Sequence, residues 1–168
     1  MLAISLIIVG ILLRFVPHLP NFTPVAAIAL FAGAYMNKRL AFVVPLLLMI
    51  ASDIFLGLHN VVAFTWGGFA LVTLLGFWVK QKRTAGRIIS GSIASSLVFY
   101  IVSNFGVWLM GWYPHTAKGL LDCYIMALPF LRNFTIATLV YTAVFFGAYE
   151  LIASRVKGSK LAKVLLSN

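Results

Sequence analysis

The sequence is short of acid. Three carboxylates, Asp53, Asp122 and Glu150, stand against thirteen lysines and arginines, and charged residues make up 10% of the 168 positions. Soluble domains carry about a quarter charged residues, so a water-soluble fold cannot cover the apolar side chains present here. A single cysteine, Cys123, excludes an intrachain disulfide and any multi-cysteine metal site. The three histidines, His18, His59 and His115, sit in separate segments with no H-x-x-x-H or H-E-x-x-H spacing, so no preformed metal site is expected. No Walker A sequence is present, which excludes P-loop ATP hydrolysis within the chain. The scattered acids supply neither a convincing Ser–His–Asp set nor a carboxylate pair. The expectation is a non-enzyme without a cofactor.

What the chain has is hydrophobicity: 62% of its residues are apolar, with a mean hydropathy of +1.05. Together with the length, this predicts one all-α integral membrane domain over residues 1–168. The net charge of +10 is not that of a nucleic-acid binder, because the bases lie at the ends of hydrophobic runs rather than in one patch. Six segments are placed, at roughly 1–16, 24–36, 40–58, 61–79, 86–110 and 133–155. The second is short of the roughly 20 residues that a span needs. The N-terminus, lacking a basic n-region and a clear cleavage site, reads as a retained first helix. The piece "TAKGLLDCYIMALPF" carries Lys118 and Asp122 and reads as a short interfacial helix ending at Pro129, before the last span.

Orientation follows from the bases. With both termini cytoplasmic, ten of the thirteen (Lys38 through Lys163) fall inside, and only Arg14, Lys118 and Arg132 fall outside. Trp78 at one end, with Trp108, Trp112 and Tyr113 at the other, fits two aromatic belts.

Polar residues then concentrate in the outer half. The loops hold His18, Asn21, Thr23 and His59. Asp53 lies roughly 7–8 Å, and Asn104 about 9 Å, inside the same face, at about 1.5 Å per helical residue. Arg132 and Asn133 open the sixth helix there. A buried acid needs a partner, and Arg132, His18 and His59 are the candidates. One reading is an ion pair pinning the third helix to the sixth. The better one, given Asn104 and Asn133 at similar depth, is an outward-opening pocket for a polar small molecule. "NFT" occurs at Asn21–Thr23 and again at Asn133–Thr135. Each is expected to start a helix, and exposed N–H groups there would favour an anionic or carbonyl-bearing ligand. Small residues recur at Ala26, Ala29 and Gly33, at Gly86, Ser90 and Ala94, and at Ala143 and Gly147. These stripes allow close helix packing within the monomer, or docking of another membrane protein. Cys123 reads as a small apolar packing residue.

The order "RFVPHLPNFTPVAAIALFAGAY", "NKR", "LAFVVPLLLMIASDIFLGLH", then "SNFGVWLMGWYPHT" and "CYIMALPFLRN", resembles the substrate-binding S components of energy-coupling-factor transporters. The likeness is to a small six-helix branch and covers nearly the whole chain. The resemblance implies a multi-pass protein of a bacterial-type cytoplasmic membrane that binds a vitamin or related micronutrient near the outer face. Its partners would be that small molecule, the lipid bilayer, and a transmembrane coupling protein with cytoplasmic ATPases. His18, Pro20, Asn21, Thr23 and Pro24 would form the gating loop, and Asp53, His59, Asn104 and Arg132 would line the site. One departure is that the first helix lacks an A-x-x-x-A stripe, since Ala3 is followed four residues later by Ile7. A ligand-free envelope scaffold and a self-sufficient facilitator are the alternatives. The second would need a polar path through inner helix halves that hold few polar residues.

Overall fold

A computed structural model describes residues 1–17 and 19–166. His18, the first of the expected loop residues, lies outside them. Among the described residues the fold is helical throughout: α1 (Leu2–Leu12) with a 3-10 turn to Phe15, α2 (Val25–Tyr35), α3 (Lys38–Leu56), α4 (Val62–Gln81), α5 (Ala85–Leu109), α6 (Ala117–Val156) and a short α7 (Lys160–Leu165). Four of these, α3 to α6, are long and apolar enough to cross a membrane. The Leu2–Phe15 and Val25–Tyr35 helices are shorter.

Local chemistry sets the boundaries. Asn37 caps α3 by accepting from the Leu40 N–H at 3.0 Å, and Thr116 caps α6 through the Gly119 N–H at 3.0 Å. Gly57 (φ 107°) turns the chain after α3, in backbone that an L side chain rarely adopts. The connections are short, so successive helices run in alternating directions. One end of the bundle gathers Lys38, Arg39, Lys80, Lys82, Arg83, Arg87 and Arg155; we call it the basic end. Arg14, Lys118 and Arg132 sit toward the opposite end.

α2 is the axis of the molecule. All eleven of its residues are buried, most to 0% exposure. It packs closely on α4, where Gly33 lies against Gly76. A Cβ on Gly33 would stand 2.7 Å from the Gly76 Cα, and it would also collide with the Thr73 carbonyl. The small residues Ala26, Ala29 and Gly33 therefore serve contacts inside the bundle. Around this axis the outward faces are apolar, with Phe55 81% exposed and a row at Ile89, Ile93, Leu97, Ile101, Phe105 and Leu109 along α5. Such a continuous apolar surface suits lipid rather than water.

Three expectations are corrected. The segment before the last span is not a separate interfacial helix, because α6 runs unbroken for 40 residues through Pro129. Proline removes one i→i−4 hydrogen bond, but packing carries the helix past it. The Tyr100 hydroxyl donates to the Tyr124 carbonyl (2.6 Å), and the Tyr124 hydroxyl donates to that of Ile101 (2.7 Å). Second, Gly86 and Ser90 are exposed and Gly86 has open space around it, while Gly91, Ser92, Ser95 and Ser96 make the buried face of α5. The Gly86–Ser90–Ala94 row is thus not the contact, and the same holds for the exposed Ala143 and Gly147. Third, Arg132 and Asn133 do not open the last helix but lie inside α6, which starts at Ala117.

Candidate functional site

The depth of α2 creates a recess. Its first residue, Val25, shares a cavity wall with Phe69 of α4. The seven α4 residues before Phe69 therefore continue about 10 Å beyond the start of α2, at 1.5 Å per residue. The loop ahead of Val25 enters the space left by the missing turns. A half-length helix leaves the bundle hollow at one end.

At the side of that hollow sits a buried charge pair. Arg14, in the 3-10 turn after α1, donates to the Asp53 carboxylate at 2.8 Å, with side-chain exposures of 14% and 7%. The indole Nε1 of Trp66 donates to the other carboxylate oxygen at 2.8 Å. Arg14 also donates to the Ser52 hydroxyl, and that hydroxyl donates to the Met49 carbonyl at 2.9 Å. Both charges are thus neutralised and hydrogen-bonded, as burial demands. The expected Asp53–Arg132 pair does not form. Arg132 lies on the exposed face of α6, three helical positions from Pro129. Arg14 reaches Asp53 first because α1 ends at that depth.

Three connected chambers extend across this end. The first, about 140 Å³, is bounded by Arg14, Asp53, Thr23 and the exposed His59. It shares Asn21, Thr65, Phe99 and Phe134 with a second of about 200 Å³, which reaches Ser103 and Asn104. Asn104, Val107, Ala127 and Phe130 are common to the second and a third of about 260 Å³, which ends at Trp112, Tyr113 and Cys123. A stack of rings lines the first two: Phe99 sits between Phe69 (4.6 Å, 18°) and Phe134 (4.7 Å, 29°). The trough is therefore lined by polar side chains and by these rings, here called its aromatic floor.

A family match covers nearly all of this. The DUF6580 family, a family of unknown function, matches residues 1–161. The chain belongs to that family. No curated protein and no solved structure matches the sequence. The charge pair, the trough and the whole of α6 fall inside the segment matched to DUF6580, so they lie in the part of the chain that the family describes.

The remaining expected residues divide. Asp53, Asn104, Asn21, Thr23 and His59 all border the trough. Asn104 spends an amide N–H on the Tyr100 carbonyl at 2.8 Å, no protein donor reaches its Oδ1 among the described residues, and its own carbonyl accepts from the Cys123 thiol at 3.4 Å. Asn133 does something else: its Nδ2 donates to the Pro20 carbonyl at 3.2 Å, tying the α1–α2 loop to α6. Neither NFT segment starts a helix. Asn21 takes a left-handed φ of 58° four residues ahead of α2, Pro24 occupies the cap position without a side-chain hydrogen bond, and Asn133 is inside α6. The capping argument for an anionic ligand therefore falls. Pro24 is buried as the first turn begins, and Pro20 supplies the carbonyl that anchors the loop.

His115 is occupied by its own loop, with its Nε2 at 3.0 Å from the Trp108 carbonyl. Among the described residues no three His, Cys, Asp or Glu side chains come together. Sequence reasoning missed Trp66, Ser103, Thr65 and the phenylalanine floor. Their spacing along helices is that of ordinary packing residues, so no linear signal marks them. Arg14 was readable: a base directly after an unbroken apolar run needs an acid, and Asp53 is the first in the chain.

At the basic end the bundle is closed. The Tyr35 hydroxyl donates to Glu150 at 2.5 Å, Arg83 lies 4.5 Å above the Tyr35 ring, and Tyr35 packs against Tyr149 with ring centres 4.0 Å apart. Lys80 donates to the Met36 carbonyl at 2.6 Å, at the end of α2. The two ends of the molecule differ in kind: one hollow and uncovered, the other filled with rings and pinned by charge.

Proposed function

We propose that the protein is a membrane-embedded binding subunit that captures a small polar or amphipathic nutrient, such as a vitamin or related compound, in the trough above α2. In this reading the six-helix bundle sits in a bacterial-type cytoplasmic membrane with α2 reaching only part-way across, the basic end and both termini face the cytoplasm, and the trough opens outward. The Leu19–Pro24 loop is the lid, held by Asn133. With no ATP-hydrolysing motif in the sequence, uptake is energised by a separate coupling protein and ATPases. Arg132, solvent-facing on α6, is dropped from the ligand-contacting set.

The observation that carries this reading is the half-length α2. A monomer that needed only stability would fill the volume above a short central helix. Here that volume is walled by a saturated ion pair and by polar side chains, an arrangement common to small-molecule sites. The test is mass spectrometry of small molecules released from gently purified protein. We expect a bound compound in wild type and at least a tenfold lower yield from Asn104→Leu, with the melting temperature kept. Absence of any released compound, together with normal uptake of every tested vitamin in cells lacking the protein, would favour the ligand-free scaffold.

A further inference from the structure

The trough has polar groups to offer and no net charge to offer with them. Among the described residues, Arg14 and Asp53 are the only Lys, Arg, Asp or Glu side chains on the walls of the three chambers. They are 2.8 Å apart and cancel. Both Asp53 oxygens accept a hydrogen bond, from Arg14 and from Trp66, and both Arg14 terminal nitrogens donate, to Ser52 and to Asp53. His59 sits on the exposed rim, where water reaches it.

The unspent capacity lies elsewhere. Among the described residues, the side chains of Asn21 and Ser103 make no hydrogen bond, and the Asn104 Oδ1 is likewise free of a protein donor. All three line the second chamber together with Phe99 and Phe134. An amide and a hydroxyl can each donate and accept, and Oδ1 accepts. They match a ligand that carries a donor and an acceptor side by side. A carboxylate or ammonium entering this space would give up part of its water for a site with no uncompensated counter-charge among the described lining residues, which disfavours it relative to a neutral ligand.

From this we propose that the second chamber selects an uncharged ligand, a planar apolar ring bearing an amide-like edge, and rejects its anionic and cationic counterparts. The amide edge meets Asn21, Ser103 and Asn104, while the ring lies over the phenylalanine floor. This rests on the binding role proposed above and names the chemical class that the role would serve.

Three probes of one size separate the possibilities: benzamide, benzoate and benzylammonium. Each is titrated into the purified protein in a His59→Gln background, which removes the described rim histidine, with tryptophan fluorescence among the readouts. Benzamide is expected to bind at least tenfold more tightly than either ion. Asp53→Asn uncovers the Arg14 charge in the first chamber, which shares Asn21, Thr65, Phe99 and Phe134 with the second, and should raise benzoate affinity at least tenfold. Should that variant not fold, Asn104→Asp places a negative charge in the second chamber and should raise benzylammonium affinity by a similar factor. Equal or tighter binding of either ion to the starting protein overturns the proposal, as does no saturable binding of any probe. So does a variant that folds but leaves the preference unmoved. The compound-release experiment stands apart from these arms: a charged compound recovered there would keep the binding role and sink the neutral-ligand assignment.

Discussion

Arg14 reaches Asp53 across 39 positions of chain, and burial sets what that contact is worth. An exposed pair contributes about 0–1 kcal/mol, whereas removing one member of a buried pair costs about 3–5 kcal/mol because the other charge is stranded. Asp53→Ala is therefore expected to lower stability in detergent by about 3–5 kcal/mol, and Arg14→Met by a similar amount. The double variant Arg14→Met/Asp53→Leu should lose clearly less than the two added together. Arg132→Ala, on the exposed face of α6, should stay within about 0.5 kcal/mol of wild type. Thermal unfolding of the four variants decides it; a large loss at Arg132 alone would point back to a pair on α6. The need for a partner at Asp53 was legible in the sequence, and so was its depth. Which base answers was not, because that depends on how far α1 penetrates. Asn104 and Asn21 were legible for the same reason as Asp53, being amides in or beside apolar runs. Ser103 and Phe99 were not, since a serine and a phenylalanine are unremarkable on any membrane helix.

The helices themselves were largely written in the hydropathy, and the six segments overlap α1 to α6. Their hierarchy was not. An amphipathic pattern reports one buried face, but α2 is apolar all round, and only its neighbours reveal it as the axis. The unbroken α6 escaped detection because Pro129 reads as a stop when packing on α5 is unknown. At this scale the close approach of α2 and α4 makes the sharpest expectation. Gly33 and Gly76 meet backbone to backbone, with no flexible side chain in between to yield. Gly76→Val should destabilise by about 1–3 kcal/mol or more, the range for overpacking a tight core. By contrast Gly147→Val, with open space around it, should be nearly silent. Equal losses at both positions would mean that α2 does not pack on α4 as described.

Taken whole, the molecule is polarised, with seven or more bases at one end and the trough at the other. If the basic end is cytoplasmic, single cysteines at Lys82 and Lys157, introduced after Cys123→Ala, should resist a membrane-impermeant maleimide added to intact cells. A cysteine at Trp112, which is 64% exposed at the trough end, should react within minutes. Labelling at Lys82 from outside would invert the molecule. The buried axis also has a bearing on how the protein is made. An 11-residue helix is about 16 Å long, roughly half the hydrocarbon thickness, so α2 cannot settle in the bilayer as a span on leaving the ribosome. Its main partner is α4, which is complete only when Gln81 has been synthesised, and the α6 face that covers its other side comes some sixty residues later. Before α4 is made α2 has only α1 and α3 to shield it, and its α6 side stays uncovered until the last span follows. The axis of the bundle is translated before the helices that enclose it.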